Sequence, residues 1–226
     1  MKSILIVGSS RGIGAELARY FSQSGDKVIG VSRSESSHCE WIKADISTAE
    51  GIQDVAKKIA NKTIDALIFS CGIWEDEGFT DTFDFRKTSY TETYNIMLAN
   101  LVAPIELTKA ISKNLSAATN PRAIYLGALS GLDHIASIQV AYAASKFGLR
   151  GAIQSLRKAL KAEGIGFTVI NPGNVATEEV LMDIEQGGIK EQVPIPISDI
   201  ILSTEMILSL SISVELGDIN LMQKDN

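Results

Sequence analysis

The sequence predicts an α/β protein, a three-layer α/β/α sandwich around a mostly parallel sheet of about seven strands. Three observations carry this expectation. Short apolar runs without polar alternation recur along the chain, as expected of strands buried on both faces. Longer amphipathic stretches separate them, as the helical crossovers between parallel strands require. The first apolar run turns at once into a glycine-rich junction before the first amphipathic stretch.

Each element can be justified in order. "SILIV" (3–7) is short, β-branched and followed by glycines, so it reads as a buried strand. "GIGAELARYFSQSG" reads as a helix closed by Gly25, which suits the position after a C-cap. "KVIGVS" and "WIKAD" read as the second and third strands. In "STAEGIQDVAKKIANK", Ser47 precedes Glu50 by three residues, a capping-box spacing, so a second helix follows. "DALIFS" is a strand, and a long helical pattern runs from about Ser89 to Leu115. "RAIYLGAL" is a strand, about Val140 to Glu163 a long helix, and "GFTVINPG" another strand. Residues 174–198, with a glycine pair and two prolines, read as a loop or lid. "ILSTEMILSLS" reads as a helix and "GDINLMQ" as a last strand. No linker or repeat divides the chain, so residues 1–226 are expected to form one domain.

Composition narrows the function classes. The 226 residues are 45% apolar and 21% charged, an ordinary globular mixture. A net charge of -6 with scattered Lys and Arg leaves no basic footprint for nucleic acid or an anionic membrane. Two cysteines, Cys39 and Cys71, match no metal or redox spacing, and two histidines, His38 and His134, are too few for a zinc site, so no metal is expected. The apolar run at the N-terminus is too short for a signal sequence or a membrane span, so a cytoplasmic setting is expected.

The junction "IVGSSRGIGAEL" places Gly8, Gly12 and Gly14 between strand and helix. Glycines there allow a tight turn and close approach to a pyrophosphate, and the helix N-terminus offers N–H groups to an anion. The end of the second strand selects the dinucleotide. An acid there would accept from a ribose 2′-hydroxyl, but this chain has Ser32 and Arg33. A guanidinium suits a 2′-phosphate, and Arg11 in the glycine turn adds a second charge. NADP(H) is therefore expected in preference to NAD(H).

One helix carries an anomaly. Tyr142, Lys146, Leu149, Ile153, Leu156 and Leu160 form a single stripe at steps of four, three, four, three and four. Its lower part is aliphatic, yet its top turn holds a phenol and an ammonium. A lysine heading a buried stripe needs something to offset its desolvation. An ammonium near a phenol favours the phenolate, which suits a proton donor and acceptor.

Taken together, these segments resemble the compact branch of the short-chain dehydrogenase/reductase family, from residue 4 to about 177. "GSSRGIG", including Ser10 and Ile13, resembles its glycine motif. "ADIS", with Asp45 and Ile46, resembles its adenine-contacting segment. "MLANLVAPIEL" resembles the central helix, with Asn100 as the catalytic asparagine. "YAASK" matches the YxxSK element, and "NPGNVAT" resembles the motif whose Pro172, Gly173, Val175 and Thr177 flank the nicotinamide. The resemblance implies a Rossmann-like doubly wound fold and hydride transfer between a nicotinamide and a small carbonyl or alcohol substrate. Tyr142 would deliver the proton, Lys146 would hold the cofactor ribose and lower the Tyr142 pKa, and Asn100 would position a water. It also implies a homodimer or homotetramer.

The chain departs from the family pattern in three places. Ser70-Cys71-Gly72 replaces Asn-Ala-Gly, keeping Gly72 and the small volume. The family serine, thirteen residues before the tyrosine, falls on Leu129. Ser130 is the nearest hydroxyl and is the expected carbonyl partner, with Ser137 as an alternative. The ending typical of ketoacyl reductases is absent. Expected substrate-pocket residues are Trp74, Leu132, His134 and Val180, with Leu181 and Met182 beside them. The alternative function is a dinucleotide-binding regulator or scaffold that kept the fold and lost the chemistry.

Overall fold

The computed structural model describes residues 1–135, 137–185, 187 and 192–224. Seven strands form one sheet: β1 (Ser3–Val7), β2 (Lys27–Ser32), β3 (Glu40–Lys43), β4 (Ala66–Phe69), β5 (Arg122–Leu126), β6 (Gly166–Pro172) and β7 (Asp218–Leu221). Their order is β3-β2-β1-β4-β5-β6-β7, and every pairing is parallel. The expected "mostly parallel" sheet is thus wholly parallel among the described residues. β7 enters by a crossover and runs with β6 in the same direction.

Parallel strands need both faces covered, and the side chains of β1 show how this is done. Leu5 belongs to a core cluster on one face, while Ile4 and Ile6 belong to a cluster on the other. Successive strand residues point to opposite faces, so an unbroken apolar run is what two buried faces demand. Each such side chain contributes on the order of 1.5–3 kcal/mol on burial. The first face is covered by α2 (Ala49–Ile59), α4 (Ala103–Ser116) and α5 (Val140–Ala159), which supply Val55, Leu107 and Ile153. The second is covered by α1 (Gly12–Gln23) and α7 (Ile197–Ser209), which supply Leu17 and Ile207.

The helix ends follow local chemistry, with two differences from expectation. α1 closes at Gly25, whose φ is +87°, a left-handed conformation that favours glycine. α2 is capped by Thr48, whose hydroxyl accepts the Gly51 N–H at 3.0 Å, and not by Ser47. Ser47 is held instead by the Asp45 carboxylate, which accepts both its N–H and its hydroxyl. A true capping box occurs where α3 (Tyr90–Met97) begins, between Ser89 and Glu92. The long helical pattern from Ser89 is realised as α3 and α4 joined through a π-helical turn, Leu98–Val102.

The sheet order reverses between β1 and β4: from β1 the chain winds outward to β2 and β3, then returns to β4 on the other side. The loops leaving these two strands diverge, and the resulting crevice at their C-terminal ends is where doubly wound sheets bind ligands. The expected lid at 174–198 contains α6 (Glu178–Glu185) and an isolated bridge from Val175 to Ile195; residues 186 and 188–191 lie outside the described residues. No described helix is long and apolar enough to cross a membrane.

Candidate active site

A cleft of about 770 Å³ opens at the C-terminal ends of the strands. Its floor is the glycine turn. Gly8 and Gly12 have φ of +86° and +54°, and a Cβ on Gly14 would lie 2.1 Å from the Gly8 carbonyl oxygen. A Cβ on Gly8 would meet the Cys71 backbone nitrogen at 2.9 Å. The turn therefore closes only with glycine at these positions. Arg11 is the N-cap of α1 but gives no side-chain cap, and no acid stands in the first turn. Orphan N–H groups and the positive end of the helix dipole consequently face the cleft free of any acidic neighbour in that turn, a cradle that suits an anion.

Every residue assigned to the dinucleotide from sequence lines this one cleft. At its outer end stand Ser32, Arg33, Asp45 and Ile46. Ser32 is buried and its hydroxyl donates to the Ser34 carbonyl at 2.6 Å. Arg33 is exposed and makes no ion pair among the described residues. Arg11 is bound to Glu179 of α6 in an exposed pair. The Asp45 carboxyl lies below its usual range: burial pushes it up, but the hydrogen bonds from Ser47 and the charge of Arg33 outweigh that. At the inner end, Cys71, Gly72, Pro172, Gly173, Val175 and Thr177 line the walls.

Tyr142 and Lys146 meet on the cleft wall. Lys146 is 4% exposed, and its Nζ donates to the Leu126 carbonyl at the end of β5 at 2.9 Å. It also lies 5.6 Å from the centre of the Tyr142 ring. Burial pushes the Tyr142 phenol up to about 12, helped by the Glu75 carboxylate. Burial pushes the Lys146 ammonium down to about 8, opposed by Cys71. The expected lowering of the phenol by Lys146 is therefore not found in the protein alone. Burial dominates both groups, and the Lys146 hydrogen bond goes to the Leu126 carbonyl.

Asn100 lies in the π-helical turn, 1% exposed, behind the cleft wall. Its Oδ1 accepts the Ile73 N–H at 2.9 Å, while its Nδ2 donates to the Ile73 carbonyl at 2.7 Å and to Ser145 Oγ at 3.0 Å. Ser145 donates onward to the Tyr142 carbonyl at 2.7 Å. The Asn100 side chain is thus spent on joining the segment after β4 to the helix that carries Tyr142. A Cβ on Gly72 would lie 3.2 Å from Lys146 Nζ and 3.6 Å from Asn100 Oδ1, so this glycine keeps the wall thin.

Besides Asn100, three expected site residues do not line the cleft. Ser130 sits in a 3-10 turn, Leu129–Gly131, with its hydroxyl buried and without a partner. That turn packs on α5: a Cβ on Gly131 would lie 2.9 Å from Lys146 backbone carbon. The residues that follow β5 along the cleft are Gly127 and Ala128. Leu132 is buried, His134 is exposed with φ of +65°, and neither lines the cleft. Ser137, the alternative hydroxyl, pairs with Gln139 instead. Trp74 and Val180 do line the cleft, whereas Leu181 and Met182 are exposed on α6.

Sequence reasoning overlooked four residues here. Phe79 lines the cleft and contacts both Trp74 and Tyr142 edge-on, at 5.5 and 6.1 Å between ring centres. Ala128 lines the cleft where a hydroxyl was sought. Ser145 relays Asn100 to the backbone of Tyr142. Glu75 is 1% exposed at the head of α5. Only Ser145 had a signal in sequence, the serine within "YAASK". Among the described residues, no group of three or more His, Cys, Asp or Glu could hold a metal ion.

Residues 2–186 match the family described as short chain dehydrogenase. The 3-oxoacyl-[acyl-carrier-protein] reductase FabG of Haemophilus influenzae is 32% identical over 208 residues, covering 85% of this chain and 83% of that one. A 4-hydroxyisoleucine dehydrogenase complexed with NADH superposes with a TM-score of 0.81 at 23% identity, covering 98% of this chain and 97% of that one. An ElxO variant with NADPH bound gives a TM-score of 0.85 at 18% identity, covering 98% of each chain. At those identities the two structures speak to the fold. The glycine turn, the Tyr142–Lys146 pair on the cleft wall and the match over most of the chain lead to one conclusion: the protein belongs to the short-chain dehydrogenase family, and is an NAD(P)-dependent oxidoreductase acting at C=O or CH–OH groups.

Proposed function

We propose that the protein moves a hydride between NADP(H) and a small, partly apolar carbonyl compound or its secondary alcohol. The observation that carries this reading is the Tyr142–Lys146 pair on the wall of a cleft whose floor is a glycine turn. The residues fit a dinucleotide. The turn leaves no room for side chains at Gly8 and Gly14, and the first N–H groups of α1 face the cleft. Arg33, exposed at the end of β2, and Arg11 in the turn favour a 2′-phosphate. Cys71, Gly72 and residues 172–177 would hold the nicotinamide half.

When bound, the nicotinamide gives or takes the hydride. The chain's own residues manage the proton. In reduction, Tyr142 donates its phenolic proton to the carbonyl oxygen as negative charge builds there. Its high pKa keeps the phenol protonated at neutral pH, the form a donor needs. Lys146 stands beside the ring and stabilises the phenolate left behind once it is protonated. Asn100 keeps Ile73 and the Tyr142 turn in register. With Ala128 on the cleft side of the turn after β5, Tyr142 is the hydroxyl donor assigned to the substrate oxygen.

Trp74, Phe79 and Val180 supply apolar walls, which supports a substrate with an apolar portion. Exposed apolar residues on the outer helices, Tyr94, Val102 and Phe147, support assembly into a homodimer or homotetramer. The test is a fluorescence titration with NADPH and NADH, followed by a screen of aldehydes and ketones for NADPH oxidation. Because one relative is named a 3-oxoacyl-[acyl-carrier-protein] reductase, 3-oxo thioesters belong in that screen. Preferential NADPH binding with turnover of a ketone or aldehyde supports the proposal. Absence of binding by either dinucleotide refutes it.

A further inference from the structure

Glu75 is a carboxylate buried at the head of the helix that carries Tyr142. It is 1% exposed. Its Oε1 accepts the Ala141 N–H at 2.8 Å and the Tyr142 N–H at 3.3 Å, while its Oε2 is buried without a partner. The helix's own N-cap, Gln139, gives no side-chain cap. A residue distant in sequence thus satisfies two orphan N–H groups of α5.

The same residue lies behind the cleft wall, beside residues that line it. Trp74 immediately precedes it, and Phe79, four residues on, meets the Tyr142 ring. A tight turn closes between them: the Gly78 N–H bonds the Glu75 carbonyl at 2.8 Å, and a Cβ on Gly78 would lie 2.9 Å from that oxygen. Gln139 donates its side-chain amide to the Gly78 carbonyl. The wall and the first turn of α5 are therefore joined at two points. The other charged groups at this corner are Asp76, whose N–H bonds the Glu92 carboxylate of α3 at 2.6 Å, and Lys146 one turn along α5.

We infer that Glu75 is a positioning residue for Tyr142: it latches the aromatic wall to the first turn of α5 and holds a negative charge at the Tyr142 backbone N–H. This rests on the reading of Tyr142 as the proton donor. A neutral amide oxygen can accept the same two N–H bonds but lacks the negative charge that a helix N-terminus also favours. The unpartnered Oε2 leaves part of the charge uncompensated, and in a low-dielectric site such a charge acts on its neighbours. Its effect is to favour the neutral phenol, biasing the site toward carbonyl reduction and demanding higher pH for alcohol oxidation.

Glu75→Gln separates charge from shape. Tyr142 ionisation is read from tyrosinate absorbance, as the difference between each protein and its Tyr142→Phe counterpart. The pH dependence of alcohol oxidation is read beside it. The expected result is that Glu75→Gln moves phenol ionisation to lower pH and raises oxidation several-fold at a fixed pH below the parent's optimum. An ionisation curve that coincides with the parent's overturns the inference and leaves Glu75 a cap. Should Glu75→Gln not fold, Glu75→Asp keeps the charge with a shorter reach. It is expected to lose thermal stability while ionisation stays as high as in the parent, and a lowered ionisation there overturns the inference. The absorbance readout needs no turnover, so it stands apart from failure of the proton-donor reading, which an active Tyr142→Phe enzyme would show.

Discussion

The Lys146 Nζ lies 5.6 Å from the centre of the Tyr142 ring while donating to the Leu126 carbonyl at 2.9 Å. The ammonium thus sits beside the phenol with its hydrogen bond given to the sheet. This geometry keeps the positive charge in a fixed place, and it makes that charge costly in the absence of an anionic partner.

The cost predicts a pH dependence of stability. The Lys146 pKa falls from 10.5 to about 8 in the folded protein. A depressed pKa means the unfolded chain binds the proton more tightly. The Lys146 contribution is therefore fully present above pH 10.5 and is lost as pH falls through about 8. Relative to Lys146→Met, the parent should gain stability as pH rises from 7 to 10, measured by denaturant unfolding at each pH. Binding an anionic dinucleotide should restore the charge, so titration calorimetry near pH 8 in buffers of different ionisation enthalpy should show proton uptake. A flat difference between parent and Lys146→Met contradicts this account.

The glycine turn predicts a steric effect without any change of charge. Gly14→Ala places a Cβ 2.1 Å from the Gly8 carbonyl oxygen, a backbone atom with nowhere to move cheaply. The expected outcome is loss of dinucleotide binding together with destabilisation of at least ~2 kcal/mol, as for other overpacked sites. Gly151→Ala serves as the control, because a Cβ there meets nothing within 4 Å. It should be neutral or slightly stabilising.

The proposed preference for NADPH rests on Arg33. A charge-assisted hydrogen bond is worth about 1.5–3 kcal/mol, so Arg33→Ala should weaken NADPH roughly ten- to hundredfold. NADH affinity should stay nearly constant. Equal loss for both dinucleotides would show that Arg33 does not read the 2′-phosphate.

Asn100 predicts a structural penalty. Asn100→Ala leaves the Ile73 N–H and carbonyl without their side-chain partner and frees Ser145. Unsatisfied buried groups cost about 1–3 kcal/mol each, so the melting temperature should drop by several degrees. Turnover should fall further than cofactor affinity, because the Tyr142 turn loses its brace.

Much of this architecture was legible in the residues. The strands are short β-branched runs, and a buried parallel strand has little freedom to look otherwise. The glycine turn was legible because only glycine satisfies the backbone of Gly8 and the contact at Gly14. Tyr142 and Lys146 stood out because a lysine heading an aliphatic stripe contradicts burial energetics. The rest depends on contacts between distant segments. Glu75 lies 67 residues before Tyr142 and forms no local pattern. Ser130 was the nearest hydroxyl to the expected spacing, but in the 3-10 turn packed on α5 its hydroxyl is buried without a partner and does not line the cleft. The π-helical turn at Asn100 has no signature in hydrophobic periodicity, since its neighbours fit an ordinary helix equally well.

The most direct measurement compares Tyr142→Phe with the parent for NADPH affinity and for reduction of the best carbonyl substrate from the screen. Removing a general acid costs roughly 10²–10⁴ in rate, so turnover should fall by that much while NADPH binds within about threefold of the parent. Both expectations follow from a phenol that moves a proton and plays no large part in holding the dinucleotide. A Tyr142→Phe enzyme that keeps most of its turnover would contradict the account at its centre.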